Sequence, residues 1–193
     1  KNLGYEVNHL DLGGGFGVDY TMKNSLNYKS FSKALNEVFK NNEFQLSIEP
    51  GRSLIAESGV LLTKVIRTKS TNYKNFLIVD AAMNNLIRPT LYNAIHSIQP
   101  LKIKSDRSSK KYDIVGPICE TGDFLGIDFN LQETKKNEVL AIMTCGAYGS
   151  VMRSNYNSRP SAAEVFIFNN KEILLRKREG IDQLLNLDII PNF

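Results

Sequence analysis

The sequence predicts an α/β segment followed by an all-β domain, because the spacing of apolar residues changes once along its 193 residues. Up to about Gly59 the spacing predicts a strand, a helix and a second strand. Beyond Gly59, apolar and polar residues alternate in five or more short segments separated by polar turns. That pattern is typical of a β-sandwich or β-barrel. We therefore expect one domain at residues 1–58 and a second at residues 59–193.

Three consecutive patterns predict the α/β segment. Residues 7–12 form a short strand that ends at a glycine cluster, and residues 44–49 form a second strand. Helical spacing between the two strands relates Phe31, Leu35, Val38 and Phe39. A strand–helix–strand unit pairs its strands in parallel, and functional residues lie at the carboxyl ends of those strands.

The β-domain is predicted from strand-like alternation along the rest of the chain. Its expected strands cover residues 60–69, 75–80, 112–115, 137–144, 163–168 and 172–176. The last two flank Asn169, Asn170 and Lys171, which predict a tight hairpin because asparagine tolerates positive φ. Residues 105–111 are rich in charge and predict a loop.

Composition and charge exclude several functional classes. The net charge is +4, and the basic clusters at 102–111 and 176–178 have no interleaved aromatics, so we expect solvated faces and no nucleic-acid partner. No apolar run approaches the roughly 18 residues of a membrane span, and the first residues lack the apolar stretch of a signal peptide. Cys119 and Cys145 form no CxxC pair and have no neighbouring histidine. We therefore expect no disulfide, no metal site and a reducing, cytoplasmic location.

Two motifs follow the two predicted parallel strands. Glycines at 13–15 and 17 let backbone N–H groups approach a phosphate, although a tight turn explains them equally well. The second motif is Glu49-Pro50-Gly51-Arg52, which alone is also consistent with a surface ion pair. Together, an anion nest, a carboxylate and a guanidinium suit a phosphorylated ring that contains nitrogen.

Further motifs lie in the predicted β-domain. Cys119 and Glu120 stand between Pro117 and Gly122 in a segment that also predicts an ordinary polar turn. Tyr148 lies between small residues, where its hydroxyl is free to meet a ligand or a backbone partner. The segment from Arg88 to Tyr92 is consistent with a surface turn or a carboxylate clamp.

In order and spacing these motifs resemble diaminopimelate decarboxylase, a pyridoxal-phosphate family of the alanine-racemase-like and ornithine-decarboxylase-like fold group. The matching segments are residues 12–15, 49–52, 88–92, 116–123, 147–149 and 154–160. The resemblance implies that residues 1–58 hold the last two strands of a (β/α)₈ TIM barrel and residues 59–193 the C-terminal β-domain. It also implies decarboxylation of meso-2,6-diaminopimelate to L-lysine and CO₂, a lyase reaction that ends lysine biosynthesis.

The resemblance assigns a role to each matching residue. Gly14, Gly15 and Gly51 would hold the cofactor phosphate, and Glu49 would face the pyridine nitrogen. The expected cofactor-binding group is completed by Pro50, Arg52 and Tyr148.

Substrate contacts are assigned in the same way. Arg52, Arg88 and Tyr92 would grip the carboxylate at the non-reacting end of the substrate. Cys119 would donate the proton that replaces CO₂, and Glu120 would bind the distal ammonium, both reaching into the partner's site of a homodimer. Tyr148 would touch both cofactor and substrate.

Departures from the family pattern leave alternatives open. Arg153 and Ser161 differ from the usual residues, and no lysine of this sequence matches the one that forms the family's Schiff base. We therefore expect a piece that begins in mid-domain and is inactive by itself. One alternative is a decarboxylase acting on another basic amino acid or a carboxylated polyamine, although Glu120 and Arg88 favour diaminopimelate. Another is a non-catalytic, dimerising or regulatory paralogue.

Overall fold

The computed structural model describes residues 4–23, 27–40 and 44–191. Two short strands and the helix between them form the first part of the chain. They are β1 (His9–Asp11), α1 (Tyr28–Phe39) and β2 (Gln45–Ser47), followed by the single turn α2 (Arg52–Ile55). β1 and β2 pair in parallel, with Leu10 opposite Leu46, which confirms the predicted strand–helix–strand unit.

Helix α1 begins at a side-chain cap and packs against Phe16 through Phe31. The Asn27 side chain accepts a hydrogen bond of 3.0 Å from the Ser30 N–H, which satisfies one free donor of the first turn. Phe31 packs edge-on against Phe16 with ring centroids 4.7 Å apart. Phe16 is the buried anchor of this segment, whereas Phe31 and Val38 remain exposed.

The second part of the chain is dominated by one six-stranded sheet. Its strands are β3 (Leu61–Ser70), β4 (Asn75–Val79), β5 (Ile98–Pro100), β6 (Ser109–Val115), β7 (Phe124–Gln132) and β8 (Val139–Ile142). They lie in the order β5-β8-β3-β4-β6-β7, and β4 with β6 is the parallel pair of this sheet. Edge strands β5 and β7 approach each other, since a Cβ on Gly126 would lie 3.1 Å from the Ile98 side chain. The sheet is therefore nearly closed and barrel-like.

The interior of this sheet forms the hydrophobic core. Side chains from all six of its strands contribute, together with Ala81 and Leu86 from the loop after β4. The fully buried ones include Val65, Leu77, Val79, Ile114, Leu140 and Ile142. Alternation of buried and exposed residues along β3 follows the two-residue period of a strand with one face inward.

A separate hairpin and short helices complete the structure. Strands β9 (Glu164–Phe168) and β10 (Lys171–Arg176) pair antiparallel, as predicted. Their turn uses positive φ at Asn169 (49°) and Asn170 (58°), the conformation that favours asparagine there. The two remaining α-helices are α3 (Arg88–Tyr92) and α4 (Ile181–Leu185).

Some sequence-based boundaries were wrong. The charged segment 105–111 is not a loop throughout, because Ser109–Val115 is strand β6 and pairs with β7. Strands β5 and β7 and helices α3 and α4 were not predicted. The basic cluster 102–111 is a solvated ion-paired face, as expected: Lys104 and Arg107 both contact Glu138, at 2.8 and 2.7 Å. These contacts lower the pKa of Glu138 from 4.5 to about 2.

Candidate active site

The two motifs that follow β1 and β2 lie side by side. The Glu49 N–H donates to the Gly13 carbonyl at 2.7 Å. A Cβ on Gly14 would lie 2.6 Å from the Glu49 carbonyl oxygen, so only glycine fits at that position. The parallel pairing of the strands causes this meeting, because it brings both carboxyl ends to one edge. The sequence-predicted glycine cluster and Glu49 thus share one site.

The glycine cluster leaves backbone donors free in the described part of the chain. Gly13 and Gly15 have φ of 67° and 78°, and open space lies where a Cβ would stand on each. The Gly13 N–H is occupied by Asp11 at 2.7 Å. Among the described residues, the N–H groups of Gly14 and Gly15 have no hydrogen-bond partner. These two exposed donors fit a phosphate.

Gly51 is placed differently from the expectation for a phosphate donor. Its N–H donates to the Glu49 carbonyl at 2.9 Å and is therefore already engaged in the present structure. Glu49 itself is exposed, and Arg52 begins α2 with a half-buried side chain. Pro50 separates the two charged residues, and its ring fixes the backbone between them.

The turn that carries Tyr148 packs against the segment after α2. The Gly146 N–H donates to the Ala56 carbonyl at 2.9 Å, and the Cys145 N–H donates to the Gly59 carbonyl at 2.8 Å. Tyr148 adopts a φ of 58°, which is uncommon for a residue with a bulky side chain. Its side chain is 45% exposed. The fold therefore joins Tyr148 to the Glu49–Arg52 motif through Ala56 and Gly146.

Arg88 is a buried cation, whereas its helix neighbour Tyr92 is exposed. The Arg88 side chain is only 5% exposed, and its guanidinium carbon lies 4.3 Å from the centroid of the Tyr20 ring. Its Nη1 lies 3.1 Å from Nε2 of His96. Its Nε is buried and has no partner. Within the described ranges no carboxylate pairs with Arg88, and a buried charge without a counter-ion is costly.

The loop after β6 presents Cys119 and Glu120 to solvent. Asp123 is 4% exposed and holds this loop, because its Oδ2 accepts from the Ile118 N–H at 2.7 Å. Its Oδ1 accepts from the Met83 N–H at 2.7 Å. Sequence reasoning placed Asp123 in the motif but assigned it no role. Two backbone donors bound by one carboxylate define its role as the anchor of the loop.

Helix α3 and the Cys119 loop are connected directly. The Thr90 hydroxyl donates to the Gly122 carbonyl at 2.5 Å, which ties the helix bearing Arg88 to the loop. The Tyr156 hydroxyl donates to Glu120 at 3.3 Å. The Glu120 carboxylate raises the pKa of Tyr156. The helix that carries Arg88 and Tyr92 and the loop that carries Glu120 are therefore connected.

The two cysteines have opposite environments. Cys119 is exposed, whereas Cys145 is partly covered and lies 3.9 Å from Nδ1 of His96. Burial raises the pKa of the Cys145 thiol to about 12. A thiol that stays protonated at neutral pH is inert, so Cys119 is the chemically available one.

Residue Asn84 was missed by sequence reasoning although it anchors the 154–160 segment. It is 2% exposed, and its carbonyl accepts from the Ser154 N–H at 3.0 Å. Arg159 donates to the Asn84 side chain at 3.3 Å and to the Asp80 carbonyl at 2.7 Å. These partners lie about 70 residues apart, and no local pattern reveals them.

The described residues form neither a candidate metal site nor a helix that could span a membrane. Across residues 4–23, 27–40 and 44–191, no three His, Cys, Asp or Glu side chains cluster as metal ligands do. In the same ranges, none of the helices is both long and apolar enough to cross a bilayer.

The fold and the motifs define a two-part chain, in which a parallel strand pair with a glycine loop adjoins a barrel-like sheet. Residues 16–146 match the family described as "Pyridoxal-dependent decarboxylase, C-terminal sheet domain". The chain belongs to this family.

Similar proteins agree with this assignment. Diaminopimelate decarboxylase of Vibrio cholerae is 45% identical over 191 residues, which are 98% of this chain and 45% of that protein. The same enzyme of Aquifex aeolicus is 43% identical over 189 residues, covering 96% of this chain and 45% of that protein. The crystal structure of diaminopimelate decarboxylase from M. jannaschii in co-complex with L-lysine is 35% identical, with a TM-score of 0.90 over 98% of this chain and 45% of that one. The chain therefore spans about half the length of these relatives.

Proposed function

We propose that this chain is the C-terminal part of a diaminopimelate decarboxylase, which converts meso-2,6-diaminopimelate to L-lysine and CO₂ as the last step of lysine biosynthesis. The observation that carries this proposal is the contact of the glycine loop with Glu49, because it puts phosphate donors and a carboxylate in one site. Relatives named diaminopimelate decarboxylase, at 43–45% identity, support the substrate class.

Residues 1–58 are proposed to be the last two strands and helices of a (β/α)₈ TIM barrel, and residues 59–193 the C-terminal β-domain. Parallel strands are normally buried on both faces, whereas Ile48 at the end of β2 is 45% exposed. An apolar hollow between α1 and β2, lined by Phe16, Phe31, Leu46 and Leu54 among others, leaves apolar surface for further elements of a barrel to cover.

Pyridoxal 5′-phosphate is the proposed cofactor, and the residues present fit it. The free N–H groups of Gly14 and Gly15 suit its phosphate, whereas Gly51 would have to exchange its present bond with Glu49. When bound, the cofactor supplies a ring that accepts the electrons left by departing CO₂. Glu49 holds a proton on the ring nitrogen, because a neighbouring negative charge raises the pKa of a base. Tyr148 and Arg52 complete the pocket.

Substrate binding is proposed to rest on charge. Arg88, Arg52 and Tyr92 hold the carboxylate at the non-reacting end, where a planar guanidinium matches two oxygens. Arg88 supports this role best, since it is a buried cation without a carboxylate partner in the described chain. Glu120 binds the distal ammonium, and its exposed position on the anchored loop makes its carboxylate accessible to a substrate.

Cys119 is proposed to donate the proton that replaces CO₂. Its thiol is exposed, whereas burial keeps the Cys145 thiol inert. Both Cys119 and Glu120 are proposed to act in the active site of a second subunit of a homodimer, in the reducing cytoplasm where free thiols persist. Mixing Cys119→Ala subunits with Glu49→Ala subunits tests the sharing, because each hybrid then contains one intact site. Recovery of activity is expected, and its absence in a verified hybrid would refute shared sites.

The substrate is tested on the protein expressed from its natural coding sequence. CO₂ release is measured with meso-2,6-diaminopimelate, L-ornithine and L-arginine at equal concentrations, with pyridoxal phosphate present. We expect release from diaminopimelate alone, with L-lysine as the product. Preference for ornithine or arginine would refute the proposed substrate, and no release from any of the three would refute the proposed activity.

A further inference from the structure

The buried guanidinium of Arg88 is held on one edge and one face. Its Nη1 lies 3.1 Å from Nε2 of His96, and the Tyr20 ring covers the guanidinium at 4.3 Å from carbon to centroid. The hydrogen bond with His96 fixes one direction in the guanidinium plane, and stacking on Tyr20 fixes the tilt of that plane. The buried Nε has no partner among the described residues, so the hydrogen-bonding capacity of the guanidinium is not fully used within the chain.

The second nitrogen of His96 defines its tautomer. Nδ1 lies 2.9 Å from the Met143 carbonyl oxygen, which can only accept, so Nδ1 carries the proton. Nε2 then presents a lone pair to Arg88, whose guanidinium can only donate. His96 is completely buried, and burial together with the charge of Arg88 lowers its pKa. The imidazole is therefore a neutral acceptor fixed at both ends.

We propose that His96 is a positioning residue that orients the Arg88 guanidinium toward the substrate carboxylate, an inference that rests on the proposed role of Arg88. By occupying Nη1, His96 leaves Nη2 as the guanidinium nitrogen for the substrate carboxylate. Nε also has no partner, but it is shielded from solvent.

A neutral acceptor suits this task better than a charged one. A carboxylate at the position of His96 would hold the guanidinium equally well, but it would neutralise the charge that attracts the substrate. The imidazole orients Arg88 and leaves its positive charge uncompensated within the described residues. Tyr20 acts in the same sense, because an aromatic face attracts a cation without neutralising it.

The test measures ligand affinity by calorimetry on the protein expressed from its natural coding sequence and loaded with cofactor. L-Lysine keeps the carboxylate that Arg88 is proposed to bind, whereas 1,5-diaminopentane has both amines and no carboxylate. Replacement of His96 by Leu removes the acceptor and keeps an apolar side chain. We expect His96→Leu to weaken L-lysine binding about 10-fold or more, as for loss of a hydrogen bond that involves a charge. The affinity for 1,5-diaminopentane should stay unchanged.

Further variants separate positioning from a structural role. His96→Gln, which retains an acceptor, should restore the L-lysine affinity to within about 3-fold, a change below 1 kcal/mol. In an Arg88→Met background, His96→Leu should cause no additional loss, because coupled residues are not additive. If His96→Leu does not fold, His96→Phe replaces it, because Phe keeps a planar ring without the acceptor, and the same results are expected for L-lysine and 1,5-diaminopentane.

The results distinguish an error in the proposed role of Arg88 from an error in the proposed role of His96. If Arg88→Met leaves L-lysine binding intact, the proposed role of Arg88 is wrong. If Arg88→Met weakens L-lysine binding but His96→Leu does not, or if His96→Leu weakens both ligands equally, the role of Arg88 stands and the positioning role of His96 is overturned.

Discussion

Asp123 anchors the loop that presents Cys119 and Glu120. Its replacement tests whether the buried carboxylate keeps that loop in place. The carboxylate is buried and accepts from the Ile118 and Met83 N–H groups, each at 2.7 Å. Asp123→Ala removes both acceptors, and each unsatisfied buried donor costs about 1–3 kcal/mol. Because about 1.36 kcal/mol corresponds to a factor of ten, opening of the loop should become about 5- to 150-fold more frequent for each lost bond.

Hydrogen exchange measured by NMR spectroscopy reports this opening for individual amides. Amides of Ile118 and Met83 should exchange faster by that factor in Asp123→Ala, while amides in the middle of β3 keep their rates. Asp182→Asn, at an exposed position on α4, is the matched control and should change none of them. The turnover number should fall together with the protection. Unchanged exchange at Ile118 in a folded Asp123→Ala protein would refute the anchoring role.

Three further predictions concern separate parts of the chain. Gly14→Ala places a Cβ 2.6 Å from the Glu49 carbonyl oxygen, so less pyridoxal phosphate should stay bound after gel filtration. In the control Gly17→Ala the new Cβ lies in open space, and the cofactor should stay bound. Iodoacetamide should label Cys119 at least about 100-fold faster than Cys145, because burial raises the pKa of the Cys145 thiol to about 12. Equal labelling rates would contradict the conclusion that Cys119 is the available thiol. Glu138, with a pKa lowered from 4.5 to about 2, stabilises the fold above pH 4.5 and loses that effect as the pH falls toward 2. Glu138→Gln should therefore lower the melting temperature at pH 7 but not at pH 2.

Elements with a regular period were predictable from the sequence. The parallel pair β1 and β2 and the hairpin at Asn169 and Asn170 follow directly from apolar spacing and turn chemistry. Strand β7 was missed because its register shifts and Asp128 adopts a φ of 55°, which breaks the two-residue alternation. β5 is only three residues long and ends at Pro100, a residue confined to strand edges.

Candidate site residues were predictable where they lie in a sequence motif, but the residues that hold them in place were not. Glu49 and the glycine cluster meet as expected from parallel strands. The sequence assigned no role to His96, whose contacts in the structure are Arg88 and Met143. Met143 lies 47 positions away, so the tertiary fold alone creates this contact. Asn84 and Asp123 likewise act through backbone groups that a sequence pattern does not reveal.

The central claim is that Glu49 and the glycine loop form one cofactor site that drives decarboxylation of diaminopimelate. The most direct measurement is the turnover number for CO₂ release from meso-2,6-diaminopimelate by Glu49→Ala, with Glu37→Ala on the exposed face of α1 as the matched control. Loss of about two pKa units on the ring nitrogen predicts a fall of about 100-fold with the cofactor still bound. The control should keep normal turnover. Turnover by Glu49→Ala within about 3-fold of the unmodified protein, a change below 1 kcal/mol, would contradict the claim.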